Sequence, residues 1–281
     1  MPAKTPQKQS VHIDWCTLGG LVLAFGGILG GLILEGGHVQ DVAQVTAAAI
    51  VLGGTIGAVL ISKPFAAVAS ACARARYVLF PPAERSVNKT IEHLIDLARL
   101  VRRHGIAVLE DEAQKTGDSF LRKALGIAAD GIDSRELRQI MELEIEAEHR
   151  RFESDAAVFE AGGGYAPTIG IIGAVLGLIQ VMKHLDHLEE VGRGIAVAFV
   201  ATVYGVSLAN IVLLPMAAKI QARGARMAEI RELTLSGVLA IAAGTNPRLI
   251  QMQLDAYRTQ PRDPEEEPHV EIPAHKVAQA G

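Results

Sequence analysis

Thr202 is the side chain best placed to do chemistry, because its hydroxyl lies inside the uncharged stretch "AVAFVATVYGVSLANIVLLP". In an apolar helix a threonine hydroxyl can hydrogen-bond a carboxylate or help to ligate an ion. A threonine in such a helix also commonly donates to its own backbone, so the sequence leaves both roles open for Thr202.

No group of residues in the sequence indicates a catalytic site. The segment "HLDHLEE" brings His184 and His187 near acidic residues, but a solvated loop explains this pattern better than a metal site. Cys16 and Cys72 have the spacing of neither a redox pair nor a zinc site. The sequence also lacks a phosphate-binding loop, a zinc signature and a nucleophile elbow. We therefore expect a protein that is not an enzyme, with no catalytic residues, no metal and no cofactor.

The composition predicts a membrane protein in contact with lipid. Of the 281 residues, 49% are hydrophobic, and the net charge of −4 gives no electrostatic basis for nucleic-acid binding. A hydrocarbon core about 30 Å thick requires roughly 20 apolar residues in a helix, and four charge-free windows meet that requirement. The windows lie between Asp14 and Glu35, Asp41 and Lys63, Glu160 and Lys183, and Arg193 and Lys219. The expected fold class is all-α, with four transmembrane helices and a helical cytoplasmic domain.

Basic residues predict the orientation, because they gather at the cytoplasmic ends of spans. They precede the first span and follow the second and fourth, at Lys4, Lys8, Lys63, Arg74, Arg76, Lys219, Arg223 and Arg226. Both termini are therefore expected in the cytoplasm. The chain then divides into a cytoplasmic N-terminus (1–14), a transmembrane hairpin (15–62), a cytoplasmic helical domain (63–164), a second transmembrane hairpin (165–216), cytoplasmic C-terminal helices (217–258) and a disordered tail (259–281).

Helical periodicity dominates the long insert between the second and third spans. In "NKTIEHLIDLARLVRRHG" apolar residues recur on one face of a helix that Gly105 caps. The segment "DSRE" predicts the start of a long helix, with Asp133 as its N-cap and Glu136 three residues later. That helix leads toward the third span, and "GGGY" followed by Pro167 predicts an interruption at the membrane boundary.

Small residues line the third span, where Gly173 and Gly177 form a GxxxG pair and Gly170 with Ala174 forms a neighbouring stripe. Such stripes let helix backbones approach closely in lipid. Packing of the third span against the fourth is one explanation, and packing against a partner helix is the other. No span contains Asp, Glu, Lys or Arg, although proton and ion relays in membranes usually need an ionisable group. A protein of this kind that conducts protons therefore needs a partner that brings the carboxylate.

Three segments together resemble flagellar stator A subunits of the MotA/PomA type. They are "LILEGGH", "APTIGIIGAVLGLIQVM" and "AVAFVATVYGVSLANIVLLPMAAKI", and the resemblance covers nearly the whole chain. It implies a bacterial inner-membrane protein, a pentamer of A subunits around a dimer of a single-span, MotB-type B subunit. In that family the transmembrane aspartate of the B subunit carries the ion. The resemblance thus implies that Gly170, Gly173 and Gly177 present a small face to the B-subunit helix.

The resemblance also assigns coupling and ion-pathway residues. Pro167 and Pro215 match two family prolines implicated in coupling ion passage to movement, although Pro215 is explained as well by a simple helix kink. Sodium-type relatives carry threonines at the three positions that are Ala174, Ala201 and Thr202 here. Since a dehydrated sodium ion needs several oxygen ligands and a proton needs only one acceptor, the single remaining hydroxyl predicts a proton-driven stator.

The segment "RRHGIAVLEDE" resembles the family's motor-facing region. The resemblance assigns contact with the rotor protein FliG to Arg102, Arg103 and Glu110, and Asp111 and Glu112 remain alternatives. Exposed charges of this kind contribute little to stability but orient a charged partner. A solvated surface without a partner is the structural alternative.

Two other functions remain open from the sequence. A TolQ/ExbB-like protein that energises an envelope-spanning complex has three spans, so the first hairpin of this chain argues against it. A non-catalytic membrane scaffold would use the same small-residue packing but would conduct no ions with any B subunit.

Overall fold

The fold is described by a computed structural model that covers residues 14–80 and 86–258. Its helices are α1 (Trp15–Leu34), α2 (Val39–Val42), α3 (Val45–Ser62), α4 (Phe65–Leu79), α5 (Val87–His104), α6 (Val108–Lys115), α7 (Ser119–Ala129), α8 (Ser134–Lys183), α9 (Leu188–Ser207), α10 (Leu214–Ala242) and α11 (Pro247–Asp255). A π-helical segment, Leu208–Leu213, joins α9 to α10. The described residues contain no strand, and the all-α prediction is confirmed. The predicted N-terminal segment, except for Asp14, and the predicted disordered tail (259–281) lie outside the described residues.

Four helical runs are long and apolar enough to cross a membrane, as the sequence predicts. They are Trp15–Leu34, Val45–Ser62, Ser134–Lys183 and Leu188–Ala242, the last comprising α9, the π-helical segment and α10. The third run contains 50 residues. At 1.5 Å per residue it is about 75 Å long, more than twice the thickness of a hydrocarbon core. The division of α8 and α10 into membrane and cytoplasmic parts remains a prediction from the sequence.

Helix α8 runs without a break through Pro167, so the predicted interruption at "GGGY" is wrong. A proline inside a helix removes only one backbone donor, whereas a break in lipid would leave several peptide groups without partners. Packing also holds this turn in place, because Gly162, Gly163 and Ala166 are all buried. The cost of the missing bond is therefore smaller than the cost of ending the helix here.

The spans differ in how closely they pack. Helices α3, α8 and α9 form a three-helix group, in which Ala47 and Val51 of α3 lie against Val200 and Ala201 of α9. Helix α1 has no buried residue, and Cβ atoms on its six glycines would meet nothing within 4 Å in the described residues. The tight packing that glycines suggest for the first span is therefore not made with any other described part of this chain.

An apolar core lies away from the spans and joins α5, α6, α7, the start of α8, the end of α10, and α11. Its fully buried side chains include Ile91, Leu94, Leu109, Phe120, Leu125, Leu137, Met141, Leu233, Ile250 and Leu254. The predicted helix boundaries are confirmed at two positions. Gly105 caps α5 with a φ of +82°, which suits glycine, and the Asp133 side chain accepts a hydrogen bond from the Arg135 backbone N–H at the start of α8. We call the part of the chain built on this apolar core the head: α5, α6, α7, the start of α8, the end of α10, and α11.

Candidate functional site

The three glycines predicted to face a partner helix are buried inside the chain. A Cβ atom on Gly170 would lie 2.9 Å from the Ala201 carbonyl oxygen, and one on Gly177 would lie 2.8 Å from the Gly194 carbonyl oxygen. A Cβ atom on Gly173 would lie 2.8 Å from the Ala201 Cβ. These glycines therefore bring α8 against α9, which is the packing alternative that the sequence left open. Contact of these glycines with a B-subunit helix stays a prediction.

The side of α8 that faces away from α9 carries large aliphatic residues. Ile171, Ile172, Val175, Leu176, Leu178 and Ile179 are all exposed in the isolated chain. A neighbouring helix or lipid that contacts this side of α8 between Ile171 and Ile179 therefore meets an aliphatic surface. The GxxxG glycines lie on the opposite side of α8, and their burial against α9 distinguishes the two sides.

Two of the predicted ion-pathway residues lie together. Ala201 is fully buried, and the Cα of Thr202 would lie 3.5 Å from a Cβ atom on Gly170. Ala174, the third predicted residue, is half-buried one position after Gly173. The turn of α9 with Ala201 and Thr202 therefore packs against the same stretch of α8 that contains Ala174.

The Thr202 hydroxyl is engaged by its own helix. Its Oγ1 donates to the Ala198 carbonyl oxygen at 3.2 Å. This bond is the backbone alternative foreseen for a threonine in a span. The hydroxyl oxygen can still accept a hydrogen bond, but the hydroxyl proton is already donated to the Ala198 carbonyl.

Pro215 lies two residues after a feature that the sequence did not predict, the π-helical segment Leu208–Leu213. Proline cannot donate a backbone hydrogen bond and its ring clashes with the carbonyl of the preceding turn, so a wider turn relieves the crowding. The Asn210 side-chain amide donates to the Val206 carbonyl oxygen at 2.9 Å beside this segment. Pro215 itself could have signalled a departure from α-helical geometry in the fourth span.

The π-helical segment ends against α8 one turn before Pro167. A Cβ atom on Gly162 would lie 3.2 Å from Leu213 Cδ1, and one on Gly163 would lie 2.6 Å from Leu214 Cδ2. Thr55 of α3 faces the same place; it is 3% exposed, and its Oγ1 has no hydrogen-bond partner among the described residues. The turn before Pro167 and the turn before Pro215 therefore pack against each other and against α3. We call this contact of three spans the junction.

An ionic cluster ties the start of α1 to α10. The Asp14 carboxylate accepts hydrogen bonds from the Lys219 ammonium and from the Thr17 backbone N–H, the latter at 3.1 Å. Arg223 Nη2 lies 3.8 Å from Asp14 Oδ2. The hydrogen bond from Lys219, reinforced by that from Thr17, lowers the pKa of Asp14 from 3.8 to about 2. Asp14 also donates its backbone N–H to the Leu79 carbonyl at 3.1 Å, so α4 is held at the same point.

The predicted rotor-contact residues lie on the surface of the head. Arg102, Arg103 and Glu110 are exposed at the turn from α5 to α6, and Arg103 Nε donates to the Arg99 carbonyl oxygen at 3.4 Å. Glu112, one of the alternatives, pairs with Lys115 at 2.6 Å within α6. The positions of these side chains fit contact with a charged surface and give no catalytic geometry.

Among residues 14–80 and 86–258, no group of three or more His, Cys, Asp or Glu side chains is arranged to hold a metal ion. An ion pair links the C-cap of α8 to the first turn of α9. His184 Nε2 lies 3.3 Å from a Glu190 carboxylate oxygen, and both side chains are exposed.

Comparison with known proteins identifies the family. The MotA/TolQ/ExbB proton channel family matches residues 112–233, and the motility protein A N-terminal family matches residues 18–105. Motility protein A of Bacillus subtilis (strain 168) is 33% identical over 245 residues, which are 87% of this chain and 91% of that protein. The match over 18–105 includes the first two spans, which argues against a three-span TolQ/ExbB-like protein.

Solved structures give the same result. The C. jejuni MotAB structure contains a chain that matches with a TM-score of 0.84 at 30% identity, covering 90% of this chain and 98% of that one. The flagellar MotAB stator complex of Bacillus subtilis matches with a TM-score of 0.80 at 34% identity, covering 86% of this chain and 94% of that one. The chain therefore belongs to the MotA/TolQ/ExbB proton channel family, as a MotA-type subunit of the flagellar stator and not as an enzyme.

Proposed function

We propose that this subunit forms a proton-driven rotary unit with a single-span, MotB-type B subunit. The observation that carries the proposal is that none of the four predicted spans contains Asp, Glu, Lys or Arg. A proton path through a low-dielectric region needs an ionisable group, so the carboxylate must come from the partner. The similar structures from C. jejuni and Bacillus subtilis are MotAB complexes, which supports a partner of this kind.

The choice of proton over sodium rests on oxygen ligands. Ala174 and Ala201 offer no side-chain oxygen, so Thr202, whose Oγ1 donates to the Ala198 carbonyl and keeps its lone pairs, is the single side-chain oxygen at these three positions. A bound sodium ion that has lost its water needs several oxygens, whereas a proton needs one carboxylate. The described spans therefore favour a proton at this position.

The mechanism follows from the cost of a buried charge. Protonation of the partner's aspartate removes a charge that is expensive in a low-dielectric pocket, and the partner helix then passes from one A subunit to the next. Each passage rotates the ring of A subunits. The junction of the π-helical segment with the turn before Pro167 is where the spans bend, and the continuous helix α8 carries the movement to the head.

The arrangement around this subunit belongs to the same proposal. A pentamer of this chain surrounds a dimer of the B subunit in the bacterial inner membrane, with both termini in the cytoplasm. The head contacts FliG of the rotor through Arg102, Arg103 and Glu110. The exposed aliphatic side of α8 and the unburied helix α1 supply apolar surface for neighbouring subunits, the B-subunit helix and lipid.

The proposal is tested by purifying the subunit from native membranes in mild detergent and weighing the intact complex by mass spectrometry. We expect a single-span partner with an aspartate in its span and a peptidoglycan-binding domain, outnumbered by this chain. A TolR-like or TonB-like partner would replace the proposal with envelope energisation. Recovery of this chain alone would favour a scaffold.

A further inference from the structure

An ion pair between a half-buried arginine and a buried aspartate joins α4 to α8 between the spans and the head. Arg74 Nε donates to Asp155 Oδ2. The Asp155 residue is 2% exposed, and it is the only ionisable residue in the chain's buried core among the residues that the structure describes. Its neighbours Ala156 and Val158 are buried as well, so the carboxylate is shielded from water.

The same arginine reaches a third helix through an aromatic ring. The Arg74 guanidinium carbon lies 3.9 Å from the centroid of the Phe152 ring, close enough for a cation–π contact. Phe152 in turn packs on α10, because a Cβ atom on Gly224 would lie 2.6 Å from the Phe152 Cβ. Arg74, Phe152, Asp155 and Gly224 therefore fasten α4, α8 and α10 together. We call these four residues the clamp.

The clamp lies on the route that any movement must take from the spans to the head. Asp155 precedes Pro167 by about 18 Å along α8, at 1.5 Å per residue. Helix α4 follows the second span directly after Pro64, and α10 continues the fourth span. All three helices that leave the α3, α8 and α9 group toward the head are thus joined at the clamp.

A buried ion pair is a poor device for stability, since the loss of hydration offsets much of the attraction between the charges. It does fix the relative orientation of the two helices that it joins. An arginine makes directional hydrogen bonds with its planar guanidinium, and an unpaired carboxylate at this site would be left buried without compensation. The pair therefore holds α4 in one rotational setting relative to α8.

We propose that Asp155 is a positioning residue for torque transmission. By holding Arg74 against Phe152, it makes α4, α8 and α10 move as one body when the spans shift, so that proton passage turns the head. Without the pair the spans still conduct, but the head follows their movement only partly. This inference rests on the proposed function, because it concerns the coupling of that proton flow to rotation.

The test compares two quantities in the assembled complex. Proton flux is followed in cells with a fluorescent pH reporter, and torque per stator unit is taken from the step height as single units join a motor in a bead assay. Asp155→Asn is expected to keep flux within about twofold of the wild type and to lower the step height severalfold. Glu146→Gln is the matched control, because it removes an exposed ion pair with Arg150 on the same helix and should change neither quantity.

The outcomes separate coupling from folding. An unchanged step height in Asp155→Asn overturns the proposal, and so does a fall of flux and torque in equal proportion, which would indicate only a structural role. If Asp155→Asn does not assemble, Arg74→Lys decides by the same two criteria, because it keeps the charge and loses the planar guanidinium. A wild-type complex that conducts no protons would refute the proposed function itself and is distinguishable from any effect of these variants.

Discussion

The backbone of Gly205 in the fourth span lies directly against the backbone of Ala166 in the third. A Cβ atom on Gly205 would lie 2.5 Å from the Ala166 carbonyl oxygen and 3.0 Å from the Cα of Gly170. No side chain separates the two helices at this point. Spans three and four are therefore in direct backbone contact next to the turn that contains Pro167.

Gly205→Ala is expected to destabilise this pair by about 1–3 kcal/mol, the usual cost of overpacking a well-packed contact. Two backbones must move apart, and neither can be relieved by rotating a side chain. The midpoint of thermal unfolding of the detergent-purified complex should fall. Gly164→Ala is the control, because a Cβ atom there would meet nothing within 4 Å. Equal midpoints for the two variants would show that the contact does not hold the spans together.

Pro215→Ala tests the π-helical segment. The substitution restores a backbone donor and removes the ring, so Leu208–Leu213 can return to α-helical geometry. We expect the complex to assemble normally while torque falls severalfold, because the junction with α8 loses its capacity to bend. Torque is measured by the bead assay, and a cryo-EM structure of the variant shows whether the wide turn has closed. Full torque from a variant with a closed turn would remove the segment from the mechanism.

Asp14→Asn tests the ionic cluster at the start of α1. The folded protein holds the pKa of Asp14 at about 2, below the ordinary 3.8, because of the hydrogen bonds from Lys219 and Thr17. The stabilisation is therefore fully present above about pH 4 and is lost as the pH falls through about 2. We expect the variant to unfold at a lower temperature than the wild type at pH 6, with the difference shrinking toward pH 2. A difference that stays constant over this range would mean that the charge of Asp14 is not the cause.

Charge reversal on the head tests the rotor contact. Arg102→Glu and Glu110→Lys change exposed side chains, so each should alter stability by less than about 0.5 kcal/mol. Both are expected to lower torque without reducing the number of stator units at the motor, counted with a fluorescent label. Arg138→Glu provides a matched reversal on another exposed part of the same domain. If the Arg138 variant loses torque to the same extent, the effect belongs to total charge and not to a specific contact.

The parts of the fold that depend on local pattern could be predicted from the sequence. Four charge-free windows gave the spans, and the apolar periodicity of α5 gave a helix whose Ile91 and Leu94 are fully buried. The continuity of α8 through Pro167 could not be predicted, because packing of the surrounding turn decides whether a proline ends a helix.

Contacts between residues far apart in the sequence could not be predicted either. Arg74 and Asp155 stand 81 positions apart, and neither has a local pattern that marks it as buried. Sequence spacing also cannot say which side of a span faces its own chain. The small residues Gly170, Gly173 and Gly177 fit a partner helix or α9 equally well until their burial is known.

The identity of the driving ion tests the account most directly. The measurement is the rotation speed of single motors that carry only this subunit and its B partner, in sodium-free medium and then with a protonophore. We expect rotation to continue at full speed without sodium and to stop when the protonophore collapses the proton gradient. Rotation that requires external sodium and survives the protonophore would contradict the proton path past Ala174, Ala201 and Thr202.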